Sequence, residues 1–124
     1  MNAYYERTIL DAEPAELIRI IYQRAIDCVR DARRHLREGR IPERTTEVSR
    51  AYAALAELQG SLRPEAAPEL ASRMGSLYDY MQERLVLAQF QQLDAPLAEV
   101  QALLGTLSEA WGAVVRETQT AVTA

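Results

Sequence analysis

The chain has 124 residues, of which 48% are hydrophobic, 26% charged and 6% aromatic, with five glycines and five prolines. That is one packing unit's worth of chain, and it excludes a collagenous, low-complexity or fully disordered protein. The formal charge is −4, from 18 acids against 14 bases, so no global positive field exists to hold nucleic acid or an anionic membrane.

The first stretch, residues 1–12, reads as a short arm ahead of a single bundle spanning about 13–120. Its opening, MNAYYERTILDAEP, has neither a basic leader nor an apolar signal core, and nowhere do 18 apolar residues run together. The expectation is a cytoplasmic protein with no membrane insertion. Helix one is expected to start at Pro14, whose fixed φ suits a first turn and whose missing N–H costs nothing there, and to stop at Gly39. Between them Leu17, Ile18, Ile21, Tyr22, Ala25, Cys28, Val29, Ala32 and Leu36 recur at three- and four-residue intervals, which makes one broad apolar face.

Helix two starts near Pro42, carries Val48, Ala51, Tyr52, Leu55 and Leu58, and ends around Gly60 to Leu62, before the Pro64–Pro68 linker. Helix three runs from about Pro68 to Leu93. Leu70, Met74, Leu77, Met81, Leu85 and Ala88 form one seam, and Tyr78, Val86, Leu87 and Phe90 lie outside it. Helix four follows Asp94 and Pro96 with a heptad: Leu97, Leu104 and Trp111 at one core position, Val100, Leu107 and Val114 at the other. Four amphipathic helices with short connections predict an all-α fold, an antiparallel four-helix bundle with up-down connections.

Residues that could carry chemistry are few. His35 has Asp31 one turn before it, but no nucleophile or glycine-rich loop accompanies the pair, and the Glu-x-x-His motifs of di-iron bundles are missing. Cys28 is the single cysteine, so an internal disulfide and a Cys-based zinc site are excluded, and its place on the apolar face of helix one marks it as a small core residue. The expectation is no enzyme, no metal and no cofactor. Arg30, Arg33, Arg34 and Arg37 make a basic stripe continued towards Arg40 and Arg44, and all 14 bases of the chain are arginine. The plain reading is a solvated face laced with Asp27, Asp31 and Glu38; the alternative is a bundle that uses the stripe to bind RNA or an acidic protein.

Tyrosines are more informative. Tyr4 and Tyr5 precede the first helix, Tyr22 lies within it, and Tyr78 and Tyr80 stand two apart on helix three, so they point to different sides. One of that pair suits the core and the other a groove or the surface.

These residues carry a resemblance to the FliS family of flagellar secretion chaperones. Ala3-Tyr4, then Pro14-Ala15-Glu16-Leu17-Ile18 and Ile21-Tyr22, is similar to the family's opening. Leu77-Tyr78-Asp79-Tyr80-Met81 followed by Arg84-Leu85 resembles its most recognisable run, and Ala110-Trp111 completes the match. Arg24, where a glycine is common, and Gln89, where an asparagine is usual, depart from the pattern. The resemblance implies a helical bundle that holds the disordered carboxyl-terminal segment of flagellin in hydrophobic grooves in the cytoplasm, keeps it from polymerising early, and hands it to the flagellar export apparatus. Nucleic acid is not an expected partner, and a weak homodimer in the free state stays open.

Helix three has more apolar residues than one bundle seam can use, and this selects its outer members for the cargo. Tyr78, Val86 and Phe90 are expected to face the partner, supported from the seam by Leu77, Met81 and Leu85, with the Tyr80 hydroxyl at the groove's rim and Tyr22 of the Ile-Tyr pair nearby. In the arm, Tyr4, Tyr5 and Ile9 supply apolar area that, by the resemblance, folds over the groove as a removable cover.

Overall fold

A computed structural model describes residues 14–123, which form four α-helices joined by short turns and one longer linker. Helix α1 (Pro14–Arg37), α2 (Ile41–Gly60), α3 (Pro68–Gln91) and α4 (Asp94–Thr123) form an antiparallel four-helix bundle. Each packs on two neighbours: α1 on α2 and α4, and α3 on the same two from the opposite corner. Thus α1 and α3 face each other diagonally across the core.

The turns follow from local chemistry. The chain leaves α1 through Gly39, at φ +69°, a left-handed conformation that glycine adopts without a Cβ clash, and the Arg40 N–H returns to the His35 carbonyl at 2.9 Å. Proline sits in the first turn of both α2 and α3, where its absent N–H is no loss. The end of α3 is set by Gln92, at φ 54°, and both Gln92 and Leu93 donate to the Ala88 carbonyl. Asp94 then opens α4 with a negative charge at its amino terminus.

The core joins Ile21, Ala25, Val29 and Ala32 of α1, Val48, Ala51, Leu55 and Leu58 of α2, Met81, Leu85 and Ala88 of α3, and Leu97, Val100 and Leu104 of α4. Cys28 is buried among them, and its thiol is pushed up to about 12, chiefly by burial and next by the Glu47 carboxylate, so it stays protonated and unreactive. Helix four keeps the predicted heptad through Leu104, after which Leu107 and Trp111 are half-buried; the Val114 side chain lies outside the described part of the structure.

Two apolar assignments change. Tyr52, grouped with the α2 core, is 43% exposed, and Leu70, placed in the α3 seam, is 61% exposed. The buried seam of α3 runs instead through Ala71, Tyr78, Met81, Leu85 and Ala88, with Met74 and Leu77 half-buried beside it. Residues 70 and 71 both satisfy helical spacing to 74, and the larger leucine is the stronger apolar signal. The packing buries the alanine and leaves the leucine exposed on the cavity wall.

The arginine stripe is largely a solvated face laced with Asp27, Asp31 and Glu38, and two of its members, Arg33 and Arg44, tie helices together. Arg33 holds the Asp94 carboxylate with both ends of its guanidinium, at 2.8 and 2.9 Å, and donates to Gln101 Oε1 at 2.8 Å, which ties α1 to the start of α4. Arg30 pairs with Asp27 and Asp31, Arg34 with Asp31, and Arg40 with Glu38. Arg44 is buried against α3 and donates to the side chain and carbonyl of Gln89. The alternative, a stripe that binds RNA or an acidic protein, has no support among these contacts.

Candidate functional site

Two apolar openings flank α3. The first is a cavity of about 500 Å³ where α1, α3, α4 and the α2–α3 linker meet. Ile18 and Tyr22 come from α1, Leu62, Ala66 and Ala67 from the linker, Leu70, Met74 and Tyr78 from α3, and Leu107 and Trp111 from α4. The linker is a wall of this cavity. Ser61 caps the end of α2 on the Leu58 carbonyl, and the Ala66 and Ala67 N–H groups both return to the Arg63 carbonyl, so the linker closes on itself and turns Leu62 inward.

Trp111 marks the edge of this cavity. It is half-buried, not enclosed as a heptad core position suggests, and its indole Nε1–H donates to the Ala15 carbonyl at 3.0 Å, pinning α4 to the first turn of α1. At the base, the hydroxyls of Tyr22 and Tyr78 meet 2.6 Å apart, spanning the diagonal between α1 and α3. Both rings are about 3% exposed. Burial holds both phenols above their ordinary range, so each keeps its proton throughout neutral conditions.

The second opening is a shallower groove of about 550 Å³ on the outer side of α2 and α3, lined by Tyr52, Asp79, Gln82, Glu83, Val86, Leu87, Phe90 and Gln91. Phe90 is 82% exposed, an unusual state for a phenyl ring, with Val86 one turn before it and Tyr52 across the groove. Ile41 and Leu93 are also exposed, one at the start of α2 and the other just past α3.

The expected site residues therefore divide. Val86 and Phe90 stand on the outer groove, but Tyr78 does not join them: it belongs to the core seam and to the cavity on the other side of α3. Residues 78, 86 and 90 all fall outside the leucine-rich seam read from the sequence, yet 78 lies about 80° around the helix from 86 and about 120° from 90. Met81 and Leu85 are fully buried supports, and Leu77 is half-buried. Tyr80 sits at neither opening. Its hydroxyl donates to the Glu99 carboxylate at 2.9 Å, and Arg84 bonds the same carboxylate at 2.7 Å, so this trio fastens α3 to α4. Tyr4, Tyr5 and Ile9 lie outside the described residues.

Sequence reasoning missed the linker's share of the cavity and the buried Arg44. The signal for the first was Leu62 and Ala66-Ala67, apolar residues inside a proline-bounded stretch. The second carried none, because a buried arginine on a helix looks like any other. Both departures from the family pattern have structural partners: Arg24 pairs with Glu57 at 3.5 Å, and Gln89 joins Arg44 to Thr45.

For catalysis the geometry offers little. Nδ1 of His35 is buried without a hydrogen-bond partner, and Asp31 is bonded to arginines, so the two do not form an oriented acid–base pair. Among the described residues no group of three His, Cys, Asp or Glu side chains could hold a metal, and no helix is long and apolar enough to cross a membrane.

Comparison with known proteins agrees with this picture. The family model described as flagellar protein FliS matches residues 1–118. The flagellar secretion chaperone FliSB of Pseudomonas aeruginosa is 31% identical over 109 residues, covering 88% of this chain and 86% of that protein. The flagellar secretion chaperone FliS of Salmonella typhimurium is 30% identical over 107 residues, covering 86% of this chain and 79% of that protein. A crystal structure of a bacterial flagellar chaperone shares the fold with a TM-score of 0.78 at 15% identity, over 92% of this chain and 96% of the other.

Proposed function

The chain belongs to the FliS family of flagellar secretion chaperones, and on that basis we propose that it holds the carboxyl-terminal segment of flagellin in the cytoplasm before export. The observation that supports this most is the apolar cavity bounded by Tyr22, Met74, Tyr78, Leu107 and Trp111. A filament subunit's terminal segment is amphipathic and buries its apolar stripe against other subunits only after assembly. Left bare, that stripe drives early polymerisation; seated as a helix in a groove, it is covered.

The cavity is the main seat in this reading, and the outer groove with Val86 and Phe90 is a second seat for the same segment. The segment orders as it binds, and that cost of a few kcal/mol keeps the complex weak enough to be released at the export apparatus.

Calorimetric titration of the full chain with flagellin's carboxyl-terminal fragment tests the proposal. Saturable one-to-one binding with a negative heat-capacity change is the expected result, because apolar surface leaves water. No heat and no co-purification at tens of micromolar protein would refute it.

A further inference from the structure

The apolar cavity carries one buried polar feature in its wall. Tyr22 and Tyr78 both line it, both are about 3% exposed, and their hydroxyl oxygens are 2.6 Å apart. For filling space alone, two phenylalanines would serve, without the cost of burying hydroxyls.

Each hydroxyl has one proton to donate and two lone pairs to accept with. Two hydroxyls that share a single bond hold two protons and use one. Whichever ring is the donor, the other ring's O–H is left over, because among the described residues neither side chain has any hydrogen bond except the one to its partner. An O–H buried without an acceptor is costly, and the cost is relieved only when something in the cavity supplies one. At the depth of the pair the remaining walls are apolar, Ile18, Leu62, Met74 and Leu107; the polar groups elsewhere in the lining are the Trp111 indole N–H, engaged by the Ala15 carbonyl, the Ser61 hydroxyl, which donates to the Leu58 carbonyl, and the exposed Arg63.

We propose that the Tyr22–Tyr78 pair is the specificity element of the cavity: its spare O–H donates to the side-chain oxygen of an Asn, Gln, Ser or Thr carried on the otherwise apolar face of the bound segment. The proposal rests on the reading that flagellin's carboxyl-terminal segment occupies the cavity. It adds that the segment is selected by one polar residue at a fixed depth. An occupant with leucine or valine at that position leaves the O–H without an acceptor and is rejected by the same cost that made the pair expensive to bury.

The test is titration of flagellin's carboxyl-terminal fragment into the full-length wild type, each single variant and the double variant Tyr22→Phe/Tyr78→Phe, with an alanine scan of the Asn, Gln, Ser and Thr residues in the fragment. A single variant still owns one O–H and should bind within about threefold of wild type, whereas the double variant should bind about three- to tenfold more weakly. One fragment position should lose a similar factor against wild type and nothing further against the double variant. A double variant that binds equally or more tightly overturns the inference and leaves the flagellin reading standing, because removing hydroxyls from a wholly apolar contact is neutral or favourable. If the double variant melts below the titration temperature, the scan against wild type decides alone, and a scan with no sensitive position overturns the inference. No binding by wild type overturns both.

Discussion

The two faces of α3 are built from the same residue types to opposite ends. Towards the bundle, Met81 and Leu85 are fully buried, and Tyr78 beside them shares a hydrogen bond with Tyr22 across the core. Away from it, Val86 and Phe90 are exposed beside Asp79 and Glu83. An apolar side chain on the first face contributes to folding; on the second it contributes nothing to folding and costs solubility unless something covers it. The cavity lined by Tyr22, Tyr78 and Trp111 lies between these extremes, continuous with the core at its base and open at its rim. Stability and partner binding are therefore separable on this helix, and substitutions should sort accordingly.

The largest effect is expected on the sealed face. Leu85 is fully buried, so Leu85→Ala should destabilise the bundle by about 2–5 kcal/mol in denaturant unfolding. A loss below 1 kcal/mol would show that the α3 seam is looser than its burial indicates. Trp111 follows: being half-buried and bonded to α1, its change to alanine should cost about 1.5–3 kcal/mol and also weaken cargo binding, since the ring serves core and cavity together. A stability loss without any binding loss would remove the cavity from the cargo path.

On the exposed face the pattern should reverse. Val86→Ala with Phe90→Ala should leave the melting transition within a few degrees of wild type while weakening binding of flagellin's terminal fragment at least tenfold, about 1.4 kcal/mol. Unaltered affinity in a titration would exclude the outer groove as a second seat.

The smallest effect concerns the ion pair of the arginine stripe that reaches another helix. Arg33 holds the Asp94 carboxyl below its ordinary range through a bidentate hydrogen bond, opposed in part by burial. The unfolded carboxyl titrates near 3.9, so this pair stabilises the bundle above about pH 4, and the contribution is lost as pH falls through the lower folded value. Both side chains are partly exposed, which limits the pair to about 0.2–1 kcal/mol. Acid unfolding of Arg33→Gln should begin from a slightly lower plateau at neutral pH and converge with wild type at the acid end; curves that differ by a constant amount at every pH would contradict the assignment.

Most of the fold was legible in the sequence because helix punctuation is local. Gly39, Pro42, Gly60 and Pro68 mark starts and stops whatever the rest of the chain does, and α4 opens at Asp94, within a few residues of the start read from Asp94 and Pro96. Which face of a helix is buried is less local. The choice between Leu70 and Ala71 depends on how closely the neighbouring helices approach, and hydropathy favours the wrong one. The tyrosines illustrate both sides of this limit. That Tyr78 and Tyr80 point apart follows from two residues of helical twist, whereas which one enters the core depends on Tyr22 waiting across the diagonal. For the same reason Tyr80 was misplaced at a groove rim: its partner, Glu99, is on a different helix and leaves no trace in the local pattern.

Trp111 is the chain's single tryptophan and sits on the rim of the cavity, so its emission reports directly on whether cargo enters there. Titration of the wild-type chain with a tryptophan-free carboxyl-terminal fragment of flagellin should shift that emission to shorter wavelength, with a midpoint equal to the calorimetric Kd, as the half-buried indole is covered. Calorimetric binding with the emission unchanged throughout would place the cargo elsewhere and contradict the central claim.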